Sequence, residues 1–309
     1  MDQKYIQTAI EYKKNIAGKF VLVEGAKLKQ RVEGERICVT RKIDGHLQVV
    51  FWQDGQVFML NASGKQKAAP TPQSSTAPLG QGGNLKCLDA FAEAMKAAGV
   101  KSATIAAELY LPREDGRPRC GDVMMALADD AKRDELCLAP FDIIELDSEP
   151  WKAEHYSETH NKLCTLFNFQ SSIFNSQLVS PVQMRNASNH DEVQEIYDEW
   201  VIGEGAEGLV VHSESPIVWK VKPRHTIDAA VIGYTTADRG IRDLMFAVRR
   251  EDGLFQMFAL GSTGLSDEDR ASIAERLSQK HVESQYVLSD SRGIAYQMVQ
   301  PELVFEGVE

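Results

Sequence analysis

The chain has 309 residues, 43% apolar and 26% charged, proportions that fit a globular protein and exclude a fibrous or disordered one. That length suggests about two domains, since a single core rarely serves more than ~250 residues. Asp and Glu outnumber Lys and Arg 45 to 34, a net charge of −11, which excludes non-specific coating of nucleic acid but allows an enzyme with a local basic surface.

No apolar run approaches the ~20 residues of a membrane helix, and the start MDQKYIQTAIEYKKN is too charged for a signal peptide. An intracellular, cytoplasmic protein without a membrane partner is expected, nucleoid-associated if bacterial. The five cysteines, Cys38, Cys87, Cys120, Cys137 and Cys164, are widely spaced and form no C-x-x-C, which argues against a zinc finger and a disulfide framework. His155 and His160 are five apart and would point to different faces of a helix. A Walker loop, G-x-G-x-x-G, G-x-S-x-G and H-E-x-x-H are all absent from the sequence.

In chain order, residues 4–17 read as an amphipathic helix and Phe20 to Val23 as a short strand. RICVTRKI and LQVVFWQDGQVFML are β-rich; Asp44-Gly45 between them and Asp54-Gly55 within the second are hairpin signals. Lys67 to Asn84, rich in Pro, Ser, Thr and Gly, reads as a surface loop. LKCLDAFAEAMKAA has helical spacing and stops at Gly99, a C-cap. SATIAAELYL and LCLAPFDIIEL follow as strands, with a helix over roughly Val123 to Leu136. Further helices cover His155 to Phe167 and ASNHDEVQEIYDEWV, the latter ending at Gly203. EGLVVHS and IVWKVKP are strand-like again.

The character changes near Thr226. DAAVIGYTT, DLMFAVRRE, LFQMFALGS, IAYQMV and ELVFEGV are strands interrupted by one charged helix, opened by Ser266 with Asp269 in capping-box position. Hairpins with inserted helices indicate an α+β class. The expected domains are 1–226 and 227–309, the second a small all-β barrel of the oligonucleotide-binding type (OB-fold).

The chemistry-bearing residues are Lys42, Asp44 and Gly45 in K-x-D-G, Glu108 in AAELYL, Phe141 in PFDIIELD, Glu207 in EGAEGLVVH, and Lys220 and Lys222 in VWKVKPR. Singly each is bland: a hairpin turn, a buried strand edge, a core phenylalanine, a half-exposed strand. In this order they reinforce one another, and the chain resembles the covalent nucleotidyltransferases, in particular the ATP-dependent DNA ligases. ELYLPREDGRP, the FD pair, TIDAAVIGY after the lysine strand and VQPELVFEGV carry the likeness to DNA ligases.

The resemblance implies an ATP-grasp-like adenylation domain followed by the OB-fold, and ligation of 5′-phosphate to 3′-hydroxyl breaks through lysyl-AMP on Lys42. It also implies ATP and Mg²⁺ as cofactors, nicked or broken duplex DNA as partner, a monomeric enzyme, and a place in DNA repair, replication or recombination. A lysine nucleophile must be at least partly neutral, and a free lysine has a pKa near ~10.4. Lys220 and Lys222, two apart on a strand, share a face; the resemblance places them at the α-phosphate, where they lower the nucleophile's pKa and stabilise transferring charge. Glu207 would hold Mg²⁺, Glu108 would contact the ribose or share the metal, Phe141 would stack on adenine, and Asp44 with Gly45 would shape the nucleophile's turn. His46 reads as a turn-exposed histidine.

Several positions depart from the family pattern. Thr40 replaces the acid two before the nucleophile, Leu47 the arginine five after it, and Asn61 and Ala62 a serine-arginine pair, with Lys65 nearby as compensation. The family's last arginine-rich motif is not found; Arg239, Arg242, Arg249 and Arg250 are candidate substitutes for its cations. Rival readings are an RNA ligase, a capping guanylyltransferase, and a non-catalytic relative that binds nucleic-acid ends.

Overall fold

The computed structural model describes residues 2–25, 27, 32, 34–68, 85–114, 116–167, 178–224, 226–238, 240–261, 264–290 and 292–308. Contacts divide the chain into two compact units, Met1–Pro223 and Arg224–Glu309. His225 and residues 69–84, most of the expected surface loop, lie outside the described residues.

The first unit opens with helix α1 (Gln3–Asn15), capped by the Asp2 carboxylate, then a 3₁₀ turn (Ala17–Lys19) and strand β1 (Val21–Glu24). β2 (Ile37–Lys42), β3 (His46–Gln53), β4 (Gln56–Asn61) and β5 (Gln66–Ala68) follow, then α2 (Lys86–Ala97), β6 (Ser102–Tyr110), α3 (Cys120–Ala128), α4 (Asp130–Arg133), β7 (Cys137–Leu146) and β8 (Glu149–Pro150). α5 (Tyr156–Phe167), β9 (Met184–Ala187), α6 (His190–Tyr197) with a π-helical continuation (Asp198–Gly203), β10 (Gly208–His212) and β11 (Val218–Lys222) complete it.

These strands make two sheets, ordered β1-β11-β10-β2-β9 and β5-β4-β3-β6-β7-β8. The second is buried on both faces, which explains its nearly continuous apolar strands. Val50, Trp52, Met59, Ile105 and Leu109 pack with α2, α3 and α5, while Val49, Phe51, Leu60 and Ala106 meet Ala9 and Tyr12 of α1. α2 buries Cys87, Leu88, Phe91, Ala92 and Met95, one helical face. It ends in a Schellman motif: Val100 N–H donates to Met95 O, Gly99 N–H to Lys96 O, and Gly99 takes φ +68°.

The first sheet alternates more plainly. Ile37, Val39, Leu209, Val211, Trp219 and Val221 pack with Val193, Ile196 and Trp200. The period of two therefore turns Cys38, Thr40, Lys42, Val210, His212, Lys220 and Lys222 to the opposite face.

Three expectations change. β2 and β3 form no hairpin at Asp44-Gly45: β2 pairs with β10 and β9, and β3 with β4 and β6, so the turn carries the chain from one sheet to the other. The Asp54-Gly55 hairpin is present, with φ +52° and +77°, both positive as a type I′ turn demands. The helix expected over Val123 to Leu136 is two, α3 and α4, divided at extended Asp129, whose carboxylate caps the second. Lys67 and Ala68, expected in the loop, belong to β5.

The second unit contains β12 (Thr226–Ala237), β13 (Gly240–Arg249), β14 (Phe255–Gly261), α7 (Asp267–Ser278), β15 (Gln297–Met298) and β16 (Val304–Val308). Long β12 pairs with β13 along one edge and with β15 and β16 along the other, all antiparallel, with register shifts after Val231 and Thr235. α7 starts at the Ser266–Asp269 capping box and buries Ile273 and Leu277 against Val231, Tyr234 and Leu244.

Candidate active site

The structure brings Lys42, Gly45, Glu108, Phe141 and Lys220 to one cavity of about 440 Å³ within the first unit. Lys42 ends β2. Gly45 lets the chain turn past β6: a Cβ there would lie 2.3 Å from Leu109 O, so the position demands glycine on steric grounds while its φ is ordinary. Asp44 lies in this turn, close enough for its charge to be felt at Glu108. His46 is half-buried at the start of β3, opposite Leu109, and not the exposed turn residue expected.

Opposed charges converge at the end of β2. Glu207, 8% exposed, accepts from Lys42 Nζ at 2.6 Å on Oε2 and pairs with Lys222 Nζ at 2.5 Å on Oε1. Burial works against its charge, but Lys42 and Lys222 hold Glu207 below the usual carboxylate range. Gly208 admits this packing, since a Cβ would fall 2.3 Å from Val221 O. Glu108, across the cavity on β6, is pushed up to about 8 by burial; Lys42 pulls it down, and Glu207 and Asp44 add to the rise.

Lys220 stands two residues before Lys222 on β11, opposite Val210. Its ammonium donates to Ala17 O at 3.0 Å and sits 5.3 Å from the Phe20 ring centroid. Burial lowers its pKa, and Lys13, Lys42 and Lys222 lower it further. The two lysines of β11 thus share a face but not a partner: Lys222 serves Glu207, and Lys220 serves the carbonyl after α1.

The far end of the cavity is aromatic. Phe141 lines it beside Val210, Tyr156 and His212. The Tyr156 ring stacks on His212 at 3.7 Å and 6°, and its hydroxyl donates to Phe141 O at 2.8 Å. Burial depresses His212 to about 3, with His155 adding, so the imidazole is neutral at pH 7. Asp142 accepts from Tyr12 at 2.8 Å; burial pushes it up to about 6 although the Tyr12 and Ile143 hydrogen bonds oppose this. Tyr12, Ala17, Phe20, Asp142, Tyr156 and His212 were not singled out from sequence. The FD pair and the alternation of VVH were the available signals; the helix before them gave none.

The departures have visible replacements. Thr40 Oγ1 donates to Val210 O at 3.3 Å, Leu47 lines the cavity, and Asn61 Oδ1 accepts from Ser63 and Lys65 backbone N–H groups to build a turn. In the second unit Arg242 faces Asp243 and Asp290, and Arg250 faces Asp252; Arg239 lies outside the described residues.

Among the described residues no group of three or more His, Cys, Asp or Glu could hold a metal ion by protein ligands alone. Glu108 and Glu207 nevertheless suit a hard cation such as Mg²⁺, which takes one or two carboxylates together with waters and phosphate oxygens. Glu108, raised chiefly by burial and further by Glu207 and Asp44, is a donor that a cation would restore to its charged form.

The family model described as the ATP-dependent DNA ligase domain matches residues 21–226. Among solved structures the chain is similar to the ligase domain of M. tuberculosis LigD, at 16% identity, covering 95% of this chain and 90% of that one with a TM-score of 0.43. It is similar to Pmar-Lig_Pre at 14% identity, with 95% and 70% coverage and a TM-score of 0.61. A Lig E DNA ligase, studied as a minimal DNA-binding scaffold, matches at 16% identity, with 88% and 94% coverage and a TM-score of 0.53. No curated protein matches. With two thirds of its length under one family model and a lysine, two carboxylates and paired sheets gathered at one cavity, the chain belongs to the ATP-dependent DNA ligases and is an enzyme of that activity.

Proposed function

We propose that Lys42 is the nucleophile of a nick-sealing reaction that passes AMP from ATP to the enzyme and then to a 5′-phosphate in duplex DNA. The observation that carries this is the hydrogen bond from Lys42 Nζ to buried Glu207, which holds Nζ in one direction in the wall of a cavity of about 440 Å³. Phe141 and Val210, both lining the cavity, are the apolar side chains that would hold adenine. The neutral His212 ring adds polar edge without charge.

In the charging step the bond from Nζ to the α-phosphorus forms and the phosphorus–oxygen bond to pyrophosphate breaks. Nζ attacks as the neutral amine after one ammonium proton passes to Glu207 Oε2 along their hydrogen bond; the electron pair leaves on pyrophosphate, which takes up the second proton as the nitrogen–phosphorus bond forms. Lys220 and Lys222 supply fixed positive charge for the phosphoryl oxygens. Glu108 and Glu207 would hold Mg²⁺, which when bound neutralises phosphate charge as a Lewis acid. In the later steps Lys42 releases AMP to the DNA end, and the 3′-hydroxyl displaces it.

We assign the second unit as the OB-fold. Its support is the five-stranded antiparallel arrangement around a long, bulged β12 with one helix packed on β13. The two sheets and the cavity of the first unit support its reading as the adenylation domain; the contacts divide the chain after Pro223, three residues before the boundary expected at 226.

The test is incubation with α-labelled ATP and Mg²⁺ followed by denaturing electrophoresis. Label that survives denaturation in the parent and disappears in Lys42→Ala is the expected result. Label retained in Lys42→Ala would remove Lys42 from the mechanism.

A further inference from the structure

The walls of the nucleotide cavity do not balance their charges. Four basic residues line it, Lys13, Arg41, Lys42 and Lys220, against two acidic ones, Glu108 and Asp142. Arg41 is paired with Glu204, and Lys42 with Glu207. Asp142 is occupied by the Tyr12 hydroxyl and the Ile143 N–H. Lys220 is held by a neutral carbonyl, that of Ala17. Among the described residues no carboxylate pairs with Lys13 or with Lys220, and the two are close enough for Lys13 to depress Lys220.

Lys13, exposed in the last turn of α1, and half-buried Lys220 therefore line the same cavity. Such an arrangement is stabilised by an anion between them and is unfavourable without one. The bland alternative is that Lys13 compensates the negative C-terminal end of the α1 dipole. Lys14 stands in the same last turn and does that equally, yet only Lys13 lines the cavity. The remaining wall, Phe141, Tyr156, Val210 and a neutral His212, suits the base and repels no phosphate.

We propose that Lys13, from the N-terminal helix, binds the pyrophosphate portion of ATP, with Lys220 on its α-phosphate side. This rests on the reading that the cavity takes ATP. It gives α1 a part in selecting a triphosphate over a monophosphate, a part the sequence of the helix does not announce. The same contact would hold the leaving group while the Nζ–phosphorus bond forms at Lys42, and would be idle once AMP has been transferred.

The experiment is calorimetric binding of α,β-methylene-ATP and of AMP, each with Mg²⁺, to the full chain and to Lys13→Met, Lys14→Met and Lys13→Arg. Lys13→Met should weaken the triphosphate about tenfold, the size of one lost charge-assisted hydrogen bond, and leave AMP unchanged. Lys14→Met should change neither, and Lys13→Arg should recover most of the loss. Equal weakening of both nucleotides would make Lys13 a structural residue of α1; no weakening, or a parent that binds the triphosphate no better than AMP, would overturn the inference outright. Labelling of Lys42 is read in parallel: selective loss in Lys13→Met with no covalent label in the parent upholds the Lys13 contact and strikes the Lys42 assignment, and label with unaffected binding does the reverse.

Discussion

His212 and Asp142, neighbours in the aromatic end of the cavity, respond to acid in opposite senses. The folded pKa of His212 lies near 3, below its unfolded value, so its contribution is complete above about 6.5 and is lost as pH falls toward 3; by pH 5 the loss is on the order of 2 kcal/mol. Asp142, raised to about 6, is favoured by protonation and regains stability over the same descent. The His212→Phe variant keeps a ring for Tyr156 and removes the first effect. Its urea midpoint should gain on the parent between pH 7 and pH 5, while that of Asp142→Asn should fall relative to the parent; identical pH slopes for His212→Phe and the parent would show that the imidazole is not held neutral. A second residue-level expectation concerns Gly45. Alanine there must push against Leu109 O, an overpacking cost of ~1–3 kcal/mol, and because the obstacle is backbone the strain moves Lys42. Labelling from ATP should fall by about tenfold or more for ~1.4 kcal/mol misdirected into that turn.

Strands and helices with a strong period were legible before any fold was known. The α2 helix with its Gly99 ending, the Asp54-Gly55 hairpin, the Ser266 capping box and the alternation of VWKVK all rest on local physics, and the structure repeats them. Asp44-Gly45 reads like Asp54-Gly55 in sequence and behaves differently, because what decides it is not local. β2 finds its partner in β10, far along the chain, and Gly45 answers to a carbonyl on β6. The site divides the same way. Lys42, Glu108, Glu207 and the β11 lysines carry their chemistry in their residue types, whereas Tyr12, Tyr156 and His212 become visible only when separate elements meet. Gly208 joins the two levels: a Cβ would meet Val221 O and separate β10, which Glu207 immediately precedes, from β11, which carries Lys222. Gly208→Ala should therefore lower the melting temperature and the extent of Lys42 labelling together; a change in melting alone would mean that the Glu207 pairs survive a spread sheet.

At the scale of the whole molecule, every residue lining the cavity beside Lys42 belongs to the first unit, and each unit has its own buried cluster. Residues 1–223 expressed alone should unfold in one cooperative transition and bind ATP; failure to bind would place part of the nucleotide site beyond Pro223. The order in which the first unit is made has a separate consequence. β1 lies parallel to β11, Val21 opposite Trp219, so β1, once translated, waits 198 residues for its neighbour, roughly 10–40 s at ribosomal speeds of about 5–20 residues per second. During that interval Lys42 is already synthesised while Glu207 is not, and the wall supplied by Lys220 does not exist. A nascent chain therefore lacks the complete cavity, which forms late and all at once, when β10 and β11 emerge and close the sheet.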